Sequence, residues 1–225
     1  EGQNAVIEWR FWDSKPDLLN QYAAELVRLK VDVIFGNNTA TIQAAKKATT
    51  TIPIVMTAAT DPVESGLVAS QERPGGNITG VTSASASRAL YQKRLELLKE
   101  IMPQFSRLGV LMDPGYIALT GNQSFKDVQV VAGSLGLNVQ SLEVRGANDF
   151  ESAFQAATKA GTQAVIHLGH PVFSNNRKQV SDAALKNRMP VLYADTQFTD
   201  AGGLMSFGAE PLDLSRRAAE YVDRI

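Results

Sequence analysis

The chain of 225 residues is 44% hydrophobic and 20% charged, a composition that supports a packed core and excludes general disorder. Its 22 basic and 23 acidic side chains leave a net charge of −1, without the positive excess of a nucleic-acid-binding surface. The absence of cysteine excludes disulfides and thiolate chemistry, and two histidines alone fall short of a zinc ligand set. We therefore expect no metal, no cofactor and no nucleic acid.

Short apolar runs alternate with amphipathic stretches in the first half of the chain. Leu18, Tyr22 and Leu26 recur at helical spacing, and Pro16 suits the first turn of the same helix. Continuous apolar runs between such stretches are typical of buried parallel strands. The pattern predicts strands over 5–12, 31–35, 53–57 and 78–82, and helices over 16–30, 39–49 and 88–102.

The same cycle restarts after Pro103, which ends the helix before it. Apolar runs and amphipathic stretches again follow each other to the end of the chain. The pattern predicts strands over 108–112, 137–144, 164–168 and 191–194, a last apolar run over 203–207, and helices over 124–135, 149–160, 174–186 and 212–225.

Repeated β-α units with continuously apolar strands predict an α/β fold whose parallel sheets are covered by helices. Small residues fill the stretch 82–87 between two successive sets of units, and a glycine-rich crossing occurs at 201–203. We therefore expect two Rossmann-like lobes with hinge crossings, one formed by 1–83 plus 203–225 and the other by 84–202. A single long doubly wound sheet is the alternative.

Ligands of parallel α/β sheets bind beyond the carboxyl ends of the strands, and this rule selects the loops in which a site is expected. In the first lobe these loops contain polar and small residues, and in the second lobe they add aromatic ones. The candidate ligand-binding residues are Asn37, Asn38, Thr39, Ala59, Thr60, Asp61 and Ser83 in the first lobe, and Asp113, Tyr116, Gly169, His170, Asp195 and Phe198 in the second.

Two of these loops suggest how a charged ligand would be bound. Asn38 and Thr39 open a helix, whose N–H groups and positive dipole end can hold a carboxylate; capping of the helix alone is the alternative. Asp195 follows an apolar strand near aromatic residues, where it can pair with an ammonium group or simply cap a turn. Asp61 precedes Pro62, which favours a structural turn.

Signatures of catalysis are missing from the sequence. No G-x-G-x-x-G follows a strand, and there is no phosphate-binding loop, no G-x-S-x-G elbow and no H-E-x-x-H pair. His170 follows a strand without an adjacent nucleophile and orienting partner. We therefore predict a binding protein and not an enzyme.

A series of stretches, in their order and spacing, resembles the ABC transporter substrate-binding family, which includes tryptophan/tyrosine transport system receptors. Each stretch is weak alone, but the ordered set is specific and covers essentially the whole chain. The stretches are 22–34, 44–49, 51–55, 61–63, 66–70, 73–80, 93–100, 201–206 and 216–223.

The resemblance implies the type I periplasmic-binding-protein fold and a role as the extracytoplasmic solute-binding receptor of an ABC importer. It also implies a small ligand, with an aromatic amino acid as the family's usual assignment, and the importer's membrane subunits as partners. We expect an amino acid or related small carboxylate, and a monomer that is periplasmic or lipid-anchored. Because members of the family usually begin earlier and continue further, we also expect the chain to be truncated at both ends.

The same fold serves as the ligand-sensing domain of signalling receptors and of transcription regulators, which is the alternative function. Under the receptor hypothesis the ligand binds one lobe, and closure of the hinge brings it against the other. In that interlobe cleft Asn38 and Thr39 would hold a carboxylate, and Asp195 an ammonium group. Further hydroxyls and an aromatic cover would come from Thr60, Ser83, Tyr116 and Phe198.

Overall fold

The computed structural model describes residues 5–12, 15–59, 62–82, 87–208 and 210–225. The chain divides into two compact units, and each is described by itself. The first unit comprises Glu1–Thr82 and Ser215–Ile225, and the second comprises Ser83–Leu214.

A parallel three-stranded sheet forms the centre of the first unit, with strand order β1-β2-β3. Its core contains Ile34, Ile54 and Ile78, one from each strand, packed with Ile42 from a helix. The Asn77 side chain donates to the carbonyls of Thr49 and Ile52 and so fastens the entry to β3. The elements are α1 (Pro16–Arg28), β1 (Ile34–Gly36), α2 (Thr39–Ala48), β2 (Ile54–Ala59) and β3 (Ile78–Thr82).

Residues 5–12 do not form the strand that their apolar alternation predicts. Among the described residues no strand pairs with this stretch, and a strand needs a partner to satisfy its backbone hydrogen bonds. The side chains of Val6 and Phe11 are largely exposed. Arg10 holds the stretch against α1 through a 2.7 Å bond from its guanidinium to the carboxylate of Glu25.

A parallel five-stranded sheet with order β5-β4-β6-β7-β8 forms the second unit. Val110 and Leu111 are neighbours on β4, both fully buried, and belong to two different hydrophobic clusters. Because successive side chains of a strand point to opposite faces, the sheet is buried on both sides. The strands are β4 (Arg107–Met112), β5 (Asn138–Glu143), β6 (Ala164–His167), β7 (Val191–Tyr193) and β8 (Met205–Ser206).

Helices cover both faces of this sheet, as the sequence pattern predicts for parallel strands. The predicted helix 174–186 is instead two helices that meet at Asn176, and three short helices lie where the sequence pattern shows none or only part of one. The helices of this unit are α3 (Arg88–Ile101), α4 (Pro114–Thr120), α5 (Gln123–Ser134), α6 (Phe150–Lys159), α7 (Pro171–Asn175), α8 (Arg177–Lys186) and α9 (Thr196–Asp200). The last helix, α10 (Pro211–Asp223), begins in this unit and continues into the first unit.

The two separate sheets exclude the alternative of one long doubly wound sheet. The predicted lobe boundary at residue 203 needs correction, however. Met205 and Ser206 pair in parallel with Leu192 and Tyr193, so this segment belongs to the second unit, and the chain enters the first unit only at Ser215.

Gly80 provides a test of the packing within the first unit. Its φ is +129°, and a Cβ at this position would lie 2.7 Å from the Met56 nitrogen of the neighbouring strand and close to the Met56 carbonyl. We expect Gly80→Ala to lower the free energy of unfolding by about 2 kcal/mol or more, because both the backbone angle and the contact are unfavourable for alanine.

Urea unfolding measures this difference, with Gly76→Ala as the matched control. A Cβ at Gly76 would meet nothing within 4 Å, so the control should change stability by less than about 0.5 kcal/mol. Equal effects of the two substitutions would contradict the described β2–β3 pairing.

Candidate functional site

The first unit carries one candidate loop between β1 and α2. A Cβ on Gly36 would lie 2.7 Å from the Ile42 side chain, so glycine allows β1 to end close against the helix. Asn38 caps α2: its side-chain oxygen accepts from the Thr41 N–H at 3.0 Å, and its amide donates to the Asn37 side chain at 3.0 Å. The capping role of Asn38 is therefore realised, and the exposed Asn37 carboxamide lies beside it.

The other first-lobe candidates divide into two groups. Thr39 and Ala59 are buried, with exposed fractions of 3% and 0%, so neither presents appreciable surface to a ligand. Thr60, Asp61 and Ser83 lie outside the described residues.

In the second unit, three neighbouring strands end in loops of the same design. Each of β4, β6 and β7 is followed directly by a short helix, and each helix is capped by a candidate residue. Asp113 accepts from the N–H groups of Gly115 and Tyr116, His170 accepts from Val172, and Asp195 accepts from Gln197. The polar candidates of this unit are thus gathered along one edge of the sheet, at the carboxyl ends of its strands.

The first two of these loops meet in a cluster of Asp113, Tyr116 and His170. The rings of Tyr116 and His170 pack edge to face with their centroids 4.4 Å apart, and His170 Nδ1 lies 3.7 Å from Asp113 Oδ2. His170 Nδ1 also accepts from the Val172 N–H at 3.1 Å, which requires that the proton of the neutral ring be on Nε2. Burial lowers the pKa of His170 to about 4, against the opposing influence of Asp113, so the ring is neutral at pH 7.

Asp195 combines a capping role with an electrostatically unusual position. Its Oδ1 accepts from the Gln197 N–H at 3.1 Å. Burial raises the pKa of Asp195, while the charges of Arg177 and Arg94 oppose that rise and the charge of Glu210 adds to it. The carboxylate is half-buried and faces cations of its own unit, which compete with any ammonium group of a ligand.

Two of the predicted positions have a different environment from the one expected. Phe198 has an exposed fraction of 0% and stacks on Tyr193 with ring centroids 4.7 Å apart, so it is a core residue and presents no surface to a ligand. Tyr116 lies on α4 and is half-buried, not on an open loop. Gly169 is exposed beside His170.

The backbone before Asp195 is held by two buried side chains that sequence reasoning did not select. The Ala194 N–H donates to His167 Nε2 at 3.2 Å, and Arg94 Nη2 donates to the Ala194 carbonyl at 3.4 Å. Arg94 Nε also donates to the Phe207 carbonyl at 2.7 Å. One sequence signal does mark Arg94: it shares the apolar stripe of α3 with Tyr91 and Leu98, where a charged residue is unexpected.

Arg177 is a third residue that the sequence pattern did not select. Its guanidinium lies over the Phe198 ring, 5.6 Å from the centroid, and its charge is the largest influence that lowers the pKa of Asp195. In the described part of the chain, no group of three or more histidine, aspartate or glutamate side chains is arranged to hold a metal ion. No helix in that part is long and apolar enough to cross a membrane.

Comparison with known proteins identifies the family. A family model described as ABC transporter substrate binding protein matches residues 1–225. The chain belongs to this family. A tyrosine-binding protein of Clostridioides difficile (strain R20291) is 28% identical over 224 residues, which are 99% of this chain and 62% of that protein. The chain therefore spans less than two thirds of the length of this relative.

Solved structures show the fold of this chain. A conserved domain protein of Vibrio cholerae is 28% identical with a TM-score of 0.86, over 100% of this chain and 73% of that one. An ABC domain in complex with L-Trp from Streptococcus pneumoniae is 22% identical, also with a TM-score of 0.86, over 100% of this chain and 74% of that one. These neighbours, with leucine- and sugar-binding proteins at TM-scores of 0.59 and 0.57, confirm the type I periplasmic-binding-protein fold.

The buried neutral state of His170 predicts a pH dependence of stability. The unfolded chain binds a proton at this residue below about pH 6.5, whereas the folded chain stays neutral until about pH 4. The folded state therefore loses stability as the pH falls through this window. His170→Asn keeps a capping acceptor but cannot titrate, so we expect it to lose about 2–4 kcal/mol less than the wild type between pH 7.5 and pH 4.

Urea unfolding, followed by circular dichroism at pH 7.5, 5.5 and 4, measures how the free energy of unfolding of each protein changes with pH. Burial also lowers the pKa of His167, to about 3. His167 is present in both proteins, so its contribution cancels in the comparison. Parallel losses of stability in the two proteins would contradict the buried neutral state of His170.

Proposed function

We propose that this protein is the extracytoplasmic solute-binding receptor of an ABC importer, and that it captures an amino acid. The observation that carries the proposal is the family match over residues 1–225. The tyrosine-binding relative supports an aromatic amino acid as the ligand. The importer's membrane subunits are the proposed partners, and the proposed location is the periplasm or, with a lipid anchor, the outer side of the membrane.

The proposed mechanism uses the carboxyl ends of the strands in both units. The first N–H groups of α2, beside Asn38, favour a ligand carboxylate because they carry the positive end of the helix dipole. In the second unit the carboxylate of Asp195 is the proposed partner of the ammonium group, and Tyr116 the proposed cover of the side chain. Ligand bound by one unit would then be engaged by the other as the hinge closes.

The expected affinity follows from a small number of charged contacts. A hydrogen bond to a charged group contributes about 1.5–3 kcal/mol, and a dissociation constant of 1 μM corresponds to about 8 kcal/mol. Two or three such bonds with an apolar cover reach this range, even though the positive charges of Arg177 and Arg94 already attract the Asp195 carboxylate. We propose binding without turnover, so chemical change of a bound amino acid would contradict this function.

A matched set of ligands tests the role proposed for Asp195. L-Tryptophan and L-tyrosine carry both charged groups, whereas N-acetyl-L-tryptophan lacks the ammonium group. We expect an amino acid at 100 times its Kd to stabilise the protein by about 2.7 kcal/mol in thermal unfolding, and the N-acetyl compound to bind at least about tenfold more weakly.

Asp195→Asn removes the charge but keeps an acceptor for the Gln197 N–H. We expect this variant to lose at least about tenfold in affinity for the amino acid and to stop discriminating against the N-acetyl compound. Asp182→Asn is the control, because Asp182 is an exposed carboxylate on α8 that pairs with Lys178. Calorimetric titration that gives Asp195→Asn wild-type affinity and discrimination would remove the ammonium role from this residue.

A further inference from the structure

Ala194 lies just beyond the last residue of β7, and side chains bind both its backbone N–H and its backbone carbonyl. β7 ends at Tyr193, so the strand ladder no longer provides partners for the next residue. Two side chains take over: His167 Nε2 accepts the Ala194 N–H, and Arg94 Nη2 donates to the Ala194 carbonyl. His167 is itself oriented by the 3.4 Å contact of its Nδ1 with the Leu168 carbonyl, which fixes the proton on Nδ1.

Arg94 links the Ala194 carbonyl to the end of the neighbouring strand, β8. Its Nε donates to the carbonyl of Phe207, which follows β8, and the Phe207 N–H donates to the Tyr193 carbonyl. Arg94 has an exposed fraction of 2%, and its guanidinium carbon lies 5.8 Å from the centre of the Tyr91 ring. A Cβ on Gly208 would collide with the Ala194 carbonyl and lie 2.8 Å from Arg94 Nη2, so the space around the bond is closed by backbone.

From this geometry we infer that Arg94, on α3, is a positioning residue for the ligand site: it fixes the Ala194 peptide and, through it, the carboxylate of Asp195. The inference rests on the proposed function for its ligand, but not for its geometry. A buried arginine on an apolar stripe is costly unless its N–H groups find acceptors, and here carbonyls at two strand ends accept from Nε and Nη2. Arg94 also places a fixed positive charge near Asp195.

The charged groups that face Asp195 come from three places. Arg177 begins α8, Arg94 lies on α3, and Glu210 precedes α10 and accepts from the Thr196 hydroxyl at 2.6 Å. Arg177 and Arg94 favour the charged carboxylate, whereas burial and Glu210 favour the protonated form. Removal of the Arg94 charge alone should therefore move the titration of Asp195 to higher pH while Arg177 and Glu210 remain.

The experiment follows the Asp195 side-chain carboxyl by ¹³C NMR in the ligand-free protein, with Asp195→Asn to assign the signal. We expect Arg94→Met to move the titration to higher pH. Arg94→Lys keeps the charge, so its titration should stay near that of the wild type, but one ammonium group cannot reproduce both bonds. Arg88→Met is the control, because Arg88 lies on the same helix and pairs with Asp127.

Ligand affinity provides the second readout, with L-tryptophan and L-tyrosine as probes. We expect Arg94→Met and Arg94→Lys to bind at least about tenfold more weakly than the wild type, and Arg88→Met to bind equally well. If circular dichroism shows that Arg94→Met does not fold, Arg94→Lys tests the positioning role instead. Hydrogen exchange of the Phe207 amide, measured in this variant, should be at least about tenfold faster than in the wild type, because the guanidinium that binds the Phe207 carbonyl is lost.

The two claims fail separately. Wild-type protein that binds neither amino acid contradicts the proposed ligand, while the NMR titrations still test Arg94. Folded Arg94→Met with an unchanged Asp195 titration would contradict the charge that Arg94 places near Asp195. Arg94→Lys with wild-type exchange at Phe207 would overturn the positioning role.

Discussion

A helix that begins directly after a buried parallel strand presents backbone N–H groups at the sheet edge, and these groups must find acceptors. Four of the candidate loops meet this requirement in the same way. Asn38, Asp113, His170 and Asp195 each provide one acceptor to the first turn of the following helix. Two of the same side chains, Asn38 and Asp195, belong to the loops in which we propose that the ligand binds.

Capping and ligand binding are therefore not alternatives at these positions. Asp195 uses Oδ1 for the Gln197 N–H, and a carboxylate has a second oxygen with which to bind an ammonium group. Asp113 uses Oδ1 for two N–H groups, while its Oδ2 lies 3.7 Å from His170. Capping holds the side chains in place before a ligand arrives, which reduces the entropy lost on binding.

The long elements could be predicted from the sequence because their hydrophobic period extends over many residues. β3 (Ile78–Thr82) agrees at both ends, and α3 (Arg88–Ile101) to within one residue. Helices of five to seven residues, such as α4 and α9, are too short to show a period, so only their capping residues marked them. β8 has two residues and is defined by its pairing with β7, which explains the misplaced boundary at 203.

The site could be predicted only as far as local sequence determines it. Asp195 was selected because it follows a strand, but a partner of its loop is distant in the chain: Arg94, which donates to the Ala194 carbonyl, precedes it by 100 residues. Phe198 illustrates the opposite error, since a position near a strand end does not reveal that the ring points into the core. Such contacts depend on tertiary packing, and no local pattern encodes them.

The central claim is that ligand binds at the carboxyl ends of the strands, and amide chemical shifts in a titration with L-tryptophan or L-tyrosine test it most directly. The account predicts that the largest changes fall on the segments 36–41, 113–116, 168–172 and 194–198. Changes concentrated instead near Gly161 and Asn187, which precede β6 and β7 at the opposite edge of the sheet, would contradict it.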